Sequence, residues 1–173
     1  MDKWGEPWIE RRGGQTHSER MRIRFAPPSS LRGRTVKTAL RDGFVEAVTA
    51  EGHLVARSPD HRSLRASLAR LGLRTTAGLA PRAIGAVAAG TPFRAAVWQA
   101  CLRIPQGQTV TYGALARKVG CRSARAVGGA LAANPLAGLI PCHRVVAAEG
   151  PGGFAWGMRR KLRWIQKEAR GPA

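Results

Sequence analysis

From Thr109 to Ala133 the chain reads TVTYGALARKVGCRSARAVGGALAA, and this stretch limits the possible folds more than any other. Thr109 to Tyr112 is a short extended piece. From Gly113 to Val119, Leu115, Ala116 and Val119 share a helical stripe that Gly120 stops, and Ser123 caps a second helix running to about Ala133. Helix, glycine turn, helix is the helix-turn-helix outline, although any helical hairpin can show it. The second helix has almost no side-chain bulk: Ala124, Ala126, Gly128, Gly129, Ala130, Ala132 and Ala133, with Arg125 as the long side chain near its start. Glycine inside a helix costs about 1 kcal/mol relative to alanine. Such a surface suits close approach, either of another helix or of a nucleic-acid backbone.

Ile140 to Val146 (IPCHRVV) is an apolar run broken by Cys142, His143 and Arg144, with Pro141 stiffening the approach to the thiol. A cysteine beside a histidine offers a nucleophile and a base, since the thiolate is the reactive form. In extended chain the two side chains point to opposite faces, so His143 reaches Cys142 through a water or a local bend. A Cys-His pair alone is more often a buried structural cysteine with a chance neighbour.

Composition narrows the partners. The net charge of +19, from 29 Lys+Arg against 10 Asp+Glu, points to a polyanion, nucleic acid before a membrane surface. No run of about 18 apolar residues is present to span a bilayer. The three cysteines, Cys101, Cys121 and Cys142, lack CxxC spacing and no secretory apolar segment follows Met1. A reducing, cytoplasmic setting is therefore expected, with no metal site.

Residues 1–20 show no sustained period and are expected to form a disordered tail. Met21, Ile23 and Phe25 alternate as in a half-buried strand, and GFVEAV and HLVAR flank Ala50-Glu51-Gly52 as a hairpin. His53 and His61 are read as surface histidines. Leu64, Leu68 and Leu71 make Ser63 to Leu71 a basic amphipathic helix closed by Gly72, and the Ala/Gly-rich stretch to Gly90 is read as a linker. Thr91-Pro92 opens a helix with Phe93, Val97 and Cys101 on one face, and IPQG (Ile104 to Gly107) is a turn. Glu149 to Gly153 is a loop, and Arg159 to Glu168 a basic helix, read from charge alone as a solvated face.

Four motifs in order, TVTYGALA, RAVGGALAANP, IPCHRVV and GGFAWGMRRK with trailing Glu168, resemble the O6-alkylguanine-DNA alkyltransferases (methylated-DNA–protein-cysteine methyltransferases). The resemblance covers about residues 91–170, and residues 1–90 match only loosely. It implies an α/β (α+β) protein with a small β-containing N-terminal domain (21–90, including the linker) and a helical alkyltransferase domain (91–170) carrying the helix-turn-helix. It further implies a single-turnover enzyme that moves an alkyl group from O6 of guanine, or O4 of thymine, in double-stranded DNA to Cys142. The expected form is a monomer without cofactor.

By motif position, the resemblance assigns His143 to take the thiol proton through a water and Glu168 to support the imidazolium. Tyr112 would donate to the departing guanine, and Asn134 would tie the helix-turn-helix to the Cys142 segment. Ala124, Ala126, Gly128, Leu131 and Tyr112 would face DNA, with Arg125 filling the gap left by a flipped nucleotide. Tyr112, Val145, Phe154, Ala155, Trp156 and Lys161 would line the substrate pocket.

Phe154 stands where the family commonly has tyrosine, the 150–153 loop is one residue short, and Trp156 replaces a frequent small residue, which predicts a pocket favouring methyl over benzyl. The N-terminal zinc-binding cysteines of the adaptive-response regulators are absent from these 173 residues, which disfavours that regulatory role. The competing classes are a non-enzymatic alkyltransferase-like protein, which would lack Cys142, and a helix-turn-helix transcription factor, which would not explain PCHRVV.

Overall fold

The computed structural model describes residues 21–170, and the tail expected over 1–20 lies outside the described residues. Two compact units are present, one of residues 21–95 with Pro135–Leu139, the other of residues 96–134 and 140–170.

The first unit contains strands β1 (Ile23–Ala26), β2 (Thr35–Arg41), β3 (Phe44–Thr49) and β4 (His53–Ser58), helix α1 (His61–Leu71), and strands β5 (Arg74–Thr75) and β6 (Gly85–Ala89). They build one six-stranded sheet in the order β1-β6-β4-β3-β2-β5. β3 and β4 pair antiparallel, the expected hairpin, with Gly52 in the turn at φ +82°. Asp60 caps α1 by accepting from the Ser63 amide at 2.7 Å, and Gly72 ends it at φ +66°. Leu64, Leu68 and Leu71 of α1 then join Val36, Val45, Val55 and Val87 of the sheet in one buried cluster.

Three expectations change here. β1 is buried on both faces, Arg24 as completely as Ile23, so the alternation of polar and apolar residues does not mark a solvent face. The stretch read as a linker contains β6, an interior strand parallel to both β1 and β4. Doubly covered parallel strands read as unbroken apolar runs, and GAVAA offers one β-branched residue to signal a strand. His61 is exposed as expected, but His53 is half-buried at the start of β4.

The segment Pro135–Leu139 docks on β4. The Arg57 amide donates to the Pro135 carbonyl at 2.7 Å, and the Ala137 amide to the Arg57 carbonyl at 3.0 Å. The Arg57 side chain is buried, its Nε donating to Glu46 Oε1 at 3.0 Å and its Nη1 to the Ala137 carbonyl at 2.8 Å. Its guanidinium also lies 3.7 Å over the Phe44 ring.

The second unit carries α2 (Pro92–Leu102) from Ala96 onward, β7 (Val110–Thr111), α3 (Tyr112–Lys118), α4 (Ala124–Ala132), β8 (Val145–Val146) and α5 (Met158–Ala169). Val97, Trp98 and Cys101 of α2 are fully buried, whereas Phe93 is 36% exposed. The helix-turn-helix forms as read: Thr111 and Ser123 cap α3 and α4 through the Ala114 and Ala126 amides, each at 3.1 Å, and Gly120 turns the chain at φ +68°. The Trp98 indole N–H donates to the Ala130 carbonyl at 2.9 Å and so fixes α4 on α2. β7 pairs parallel with β8, Val110 opposite Val145. Among the described residues no helix is long and apolar enough to cross a membrane.

Candidate active site

Pro141 ends the buried approach of Leu139 and Ile140, and Cys142–Arg144 then form a single turn of 3-10 helix rather than extended chain. The Cys142 amide donates to the Ile140 carbonyl at 2.8 Å and the Arg144 amide to the Pro141 carbonyl at 3.0 Å. The turn is the local bend that departs from strand geometry. It sends three consecutive polar side chains into the protein, all less than a tenth exposed.

Each has a distinct environment. The buried Asn134 amide nitrogen donates to the Ile140 carbonyl at 3.2 Å and to Cys142 Sγ at 3.4 Å, so one side chain holds both the approach to the turn and the sulfur. His143 Nε2 meets Glu168 Oε1 at 2.8 Å, and its ring packs edge-on against Trp164, centroids 5.1 Å apart. Arg144 grips the same carboxylate with two donors, Nε to Oε2 at 2.8 Å and Nη2 to Oε1 at 2.9 Å, while Nη1 caps the Ile104 carbonyl at 2.7 Å.

These contacts set the charge states. Burial pushes the Cys142 thiol up to about 11, against the opposing pull of the Asn134 donor and the Lys161 charge, so the thiol is the resting form at neutral pH. Burial also works against ionised Glu168, but the hydrogen bonds and charges of His143 and Arg144 outweigh it and bring the carboxyl down to about 2. Burial, with the neighbouring cysteines, raises the Tyr112 hydroxyl, which keeps its proton.

A cavity of about 530 Å³ opens onto the thiol. It is lined by Tyr112, by Ala124, Arg125, Gly128, Gly129, Leu131 and Ala132 of α4, and by Cys142, Gly153, Phe154 and Ala155. Its size lies in the range of about 300–1,000 Å³ usual for small-molecule sites. The small residues of α4 that admit close approach thus line the cavity that contains the nucleophile, together with the exposed Arg125.

The chain is similar to proteins of known family. The methylated-DNA–protein-cysteine methyltransferase of Mycobacterium leprae is 38% identical over 122 residues, covering 69% of this chain and 74% of that protein. The chain belongs to the methylated-DNA–protein-cysteine methyltransferase family. The family model of the 6-O-methylguanine DNA methyltransferase DNA-binding domain matches residues 92–170. The Escherichia coli bifunctional transcriptional activator/DNA repair enzyme Ada is 49% identical over 82 residues, 46% of this chain but 23% of that protein. The chain thus spans under a quarter of that longer relative. The structure of Mycobacterium tuberculosis OGT in complex with DNA aligns with a TM-score of 0.61 at 27% identity, covering 79% of this chain and 93% of that one.

In this family member, Tyr112, Ala124, Arg125, Gly128, Leu131, Cys142, Phe154 and Ala155 come together as cavity walls. Ala126, Val145, Trp156 and Lys161 are not among them. Val145 is buried in β8, and Trp156 packs edge-on against the Phe154 ring, centroids 5.2 Å apart. Lys161 is fully buried, so α5 is more than a solvated charged face. Its ammonium donates to the Val145 carbonyl at 2.6 Å and the Gly153 carbonyl at 3.1 Å, and burial lowers its pKa against the raising influence of Cys142.

The Tyr112 hydroxyl also donates to the Gly153 carbonyl, at 3.0 Å. Gly152 makes this possible: at φ +69°, a Cβ there would stand 2.8 Å from the Tyr112 ring. Sequence reading gives no site role to Arg144, Gly153, Trp98 or Trp164. The signal available for Arg144 was its place beside His143, since a buried arginine needs a carboxylate. Among the described residues no cluster of His, Cys, Asp or Glu could hold a metal ion.

Proposed function

We propose that this chain repairs double-stranded DNA by direct reversal, moving the alkyl group from O6 of guanine, or from O4 of thymine, irreversibly to Cys142. The observation that carries the reading is the thiol in a chamber walled by a helix-turn-helix, with an ionised Glu168 behind the adjacent histidine. A base held in the duplex cannot reach a buried sulfur, so the target nucleotide must turn out of the stack into the cavity. Arg125, exposed and lining the cavity, fills the space it leaves.

In this mechanism the Sγ–carbon bond forms as the carbon–O6 bond breaks, and the electron pair leaves with guanine. Because the resting group is a thiol, its proton must depart as sulfur attacks. His143 receives it through a water, and Glu168 balances the imidazolium without itself taking a proton. The Tyr112 hydroxyl releases the Gly153 carbonyl to donate to the guanine as charge develops there. Asn134 holds Sγ in line. The product thioether is stable, so each chain acts once, as a monomer and without a cofactor, in the reducing cytoplasm.

The test is intact-mass measurement after mixing with a duplex carrying O6-methylguanine. One methyl group per chain, mapped to Cys142, is expected, with Cys142→Ala binding DNA but gaining no mass. Label on Cys101 or Cys121, or turnover beyond one equivalent, would falsify the proposal.

A further inference from the structure

The first unit carries a concentration of positive charge that the cavity chemistry does not use. Arg32, Arg70, Arg74 and Arg94 are all exposed. The C-terminal end of α1 brings the first three together. Arg70 lies in its last turn, and Gly72 closes it against Arg32, whose Cγ would be 3.2 Å from a Cβ placed on Gly72. The Gly33 amide donates to the Gly72 carbonyl at 2.9 Å, and Arg74 pairs with Thr35 as β5 joins β2. Arg94 stands close enough to Arg70 to depress its pKa, adding to burial, the larger cause.

Among the described residues none of the four has an ion pair, whereas neighbouring Arg34 meets Glu51 at 3.2 Å. One cation at a helix C-terminus is favourable on its own, which accounts for Arg70 alone. Gathering three more guanidiniums beside it costs repulsion, which an anionic partner would offset.

We propose that Arg32, Arg70, Arg74 and Arg94 form a contact site for the phosphate backbone of duplex DNA on the first unit, in addition to the helix-turn-helix of the second. The inference rests on the reading that the protein acts on DNA. All four are arginines, whose planar fork matches phosphate oxygens. A lipid surface fits less well, because Leu64, Leu68 and Leu71 of α1 are buried and give no apolar anchor.

The experiment measures affinity for an undamaged duplex across about 50–300 mM salt, wild type against the combined Arg32→Gln, Arg70→Gln, Arg74→Gln and Arg94→Gln variant. Each phosphate contact contributes about 0.9 to the slope of log K against log salt, so the slope should shrink by about 3–4. A change below about 1 overturns the site. Poly-glutamate is the second probe: a variant that loses poly-glutamate binding but keeps its duplex slope assigns the surface to an acidic protein and overturns the proposal. Reaction with free O6-benzylguanine, which has no phosphate, should be unaffected, showing that the variant is folded. If neither protein reacts at Cys142, the alkyl-transfer reading falls while the slope still decides this one.

Discussion

His143 Nε2 and Glu168 Oε1 lie 2.8 Å apart, and the same carboxylate receives two donors from Arg144 and, at 3.4 Å, the Gly107 amide. Glu168 is therefore a structural node as well as the support for a base. Its folded value of about 2 lies below the ordinary 4.5, so its contribution to stability is complete above 4.5 and is lost as pH falls through about 2. Glu168→Gln removes that contribution and leaves the Arg144 guanidinium without its counter-charge. In urea denaturation, the gap between wild type and variant should be widest near neutral pH and narrow between pH 5 and 2. Alkyl transfer should fall roughly ten- to a hundredfold. A constant gap across that range would show that Glu168 is not held ionised.

The second unit was largely legible in the sequence because its signals are local. Caps at Ser123 and Thr111, the stop at Gly120 and the bare surface of α4 follow from short-range chemistry. Placement of Lys161 and Trp156 was not legible, since resemblance supplies neighbours along the chain but not which atom a side chain meets. Lys161 is committed to two carbonyls, a match made across a fold. In the first unit, β6 was hidden because burial on both faces removes the alternation by which strands are recognised.

Arg125 is exposed yet borders the cavity, a position suited to contacts that exist only when a base has left the stack. Arg125→Ala should weaken binding to O6-methylguanine duplexes several-fold more than to undamaged ones, and slow transfer in duplex DNA more than reaction with the free base. Competition titrations on the two duplexes measure the ratio. Equal losses on both would reduce Arg125 to an ordinary phosphate contact.

The Arg57–Glu46 pair is buried, and Arg57 also serves the Ala137 carbonyl. Arg57→Met strands the Glu46 carboxylate, with Arg41 as a more distant cation at 3.7 Å, and should cost about 3–5 kcal/mol. The double variant with Glu46→Leu should recover most of this loss, because two well-packed apolar side chains can replace a buried pair. Chemical denaturation of the three proteins decides it. A single variant within about 1 kcal/mol of wild type would mean that the pair is effectively solvated.

The sequence suggested that the Trp156 indole narrows the pocket, but its ring packs edge-on against Phe154 while Phe154 and Ala155 provide the wall. Phe154 is braced on a second side by Trp164, centroids 5.7 Å apart, so loss of one partner need not release it. Trp156→Gly should cost about 0.5–1.5 kcal/mol beyond buried area for the lost aromatic pair. It should change the rate with free O6-benzylguanine by less than about threefold, equivalent to less than about 0.7 kcal/mol in barrier. Ala155→Trp, which puts an indole into the wall itself, should slow benzyl transfer far more than methyl transfer. A large benzyl acceleration in Trp156→Gly would restore the indole as the gate, showing that the Phe154 wall yields once its edge-on partner is gone.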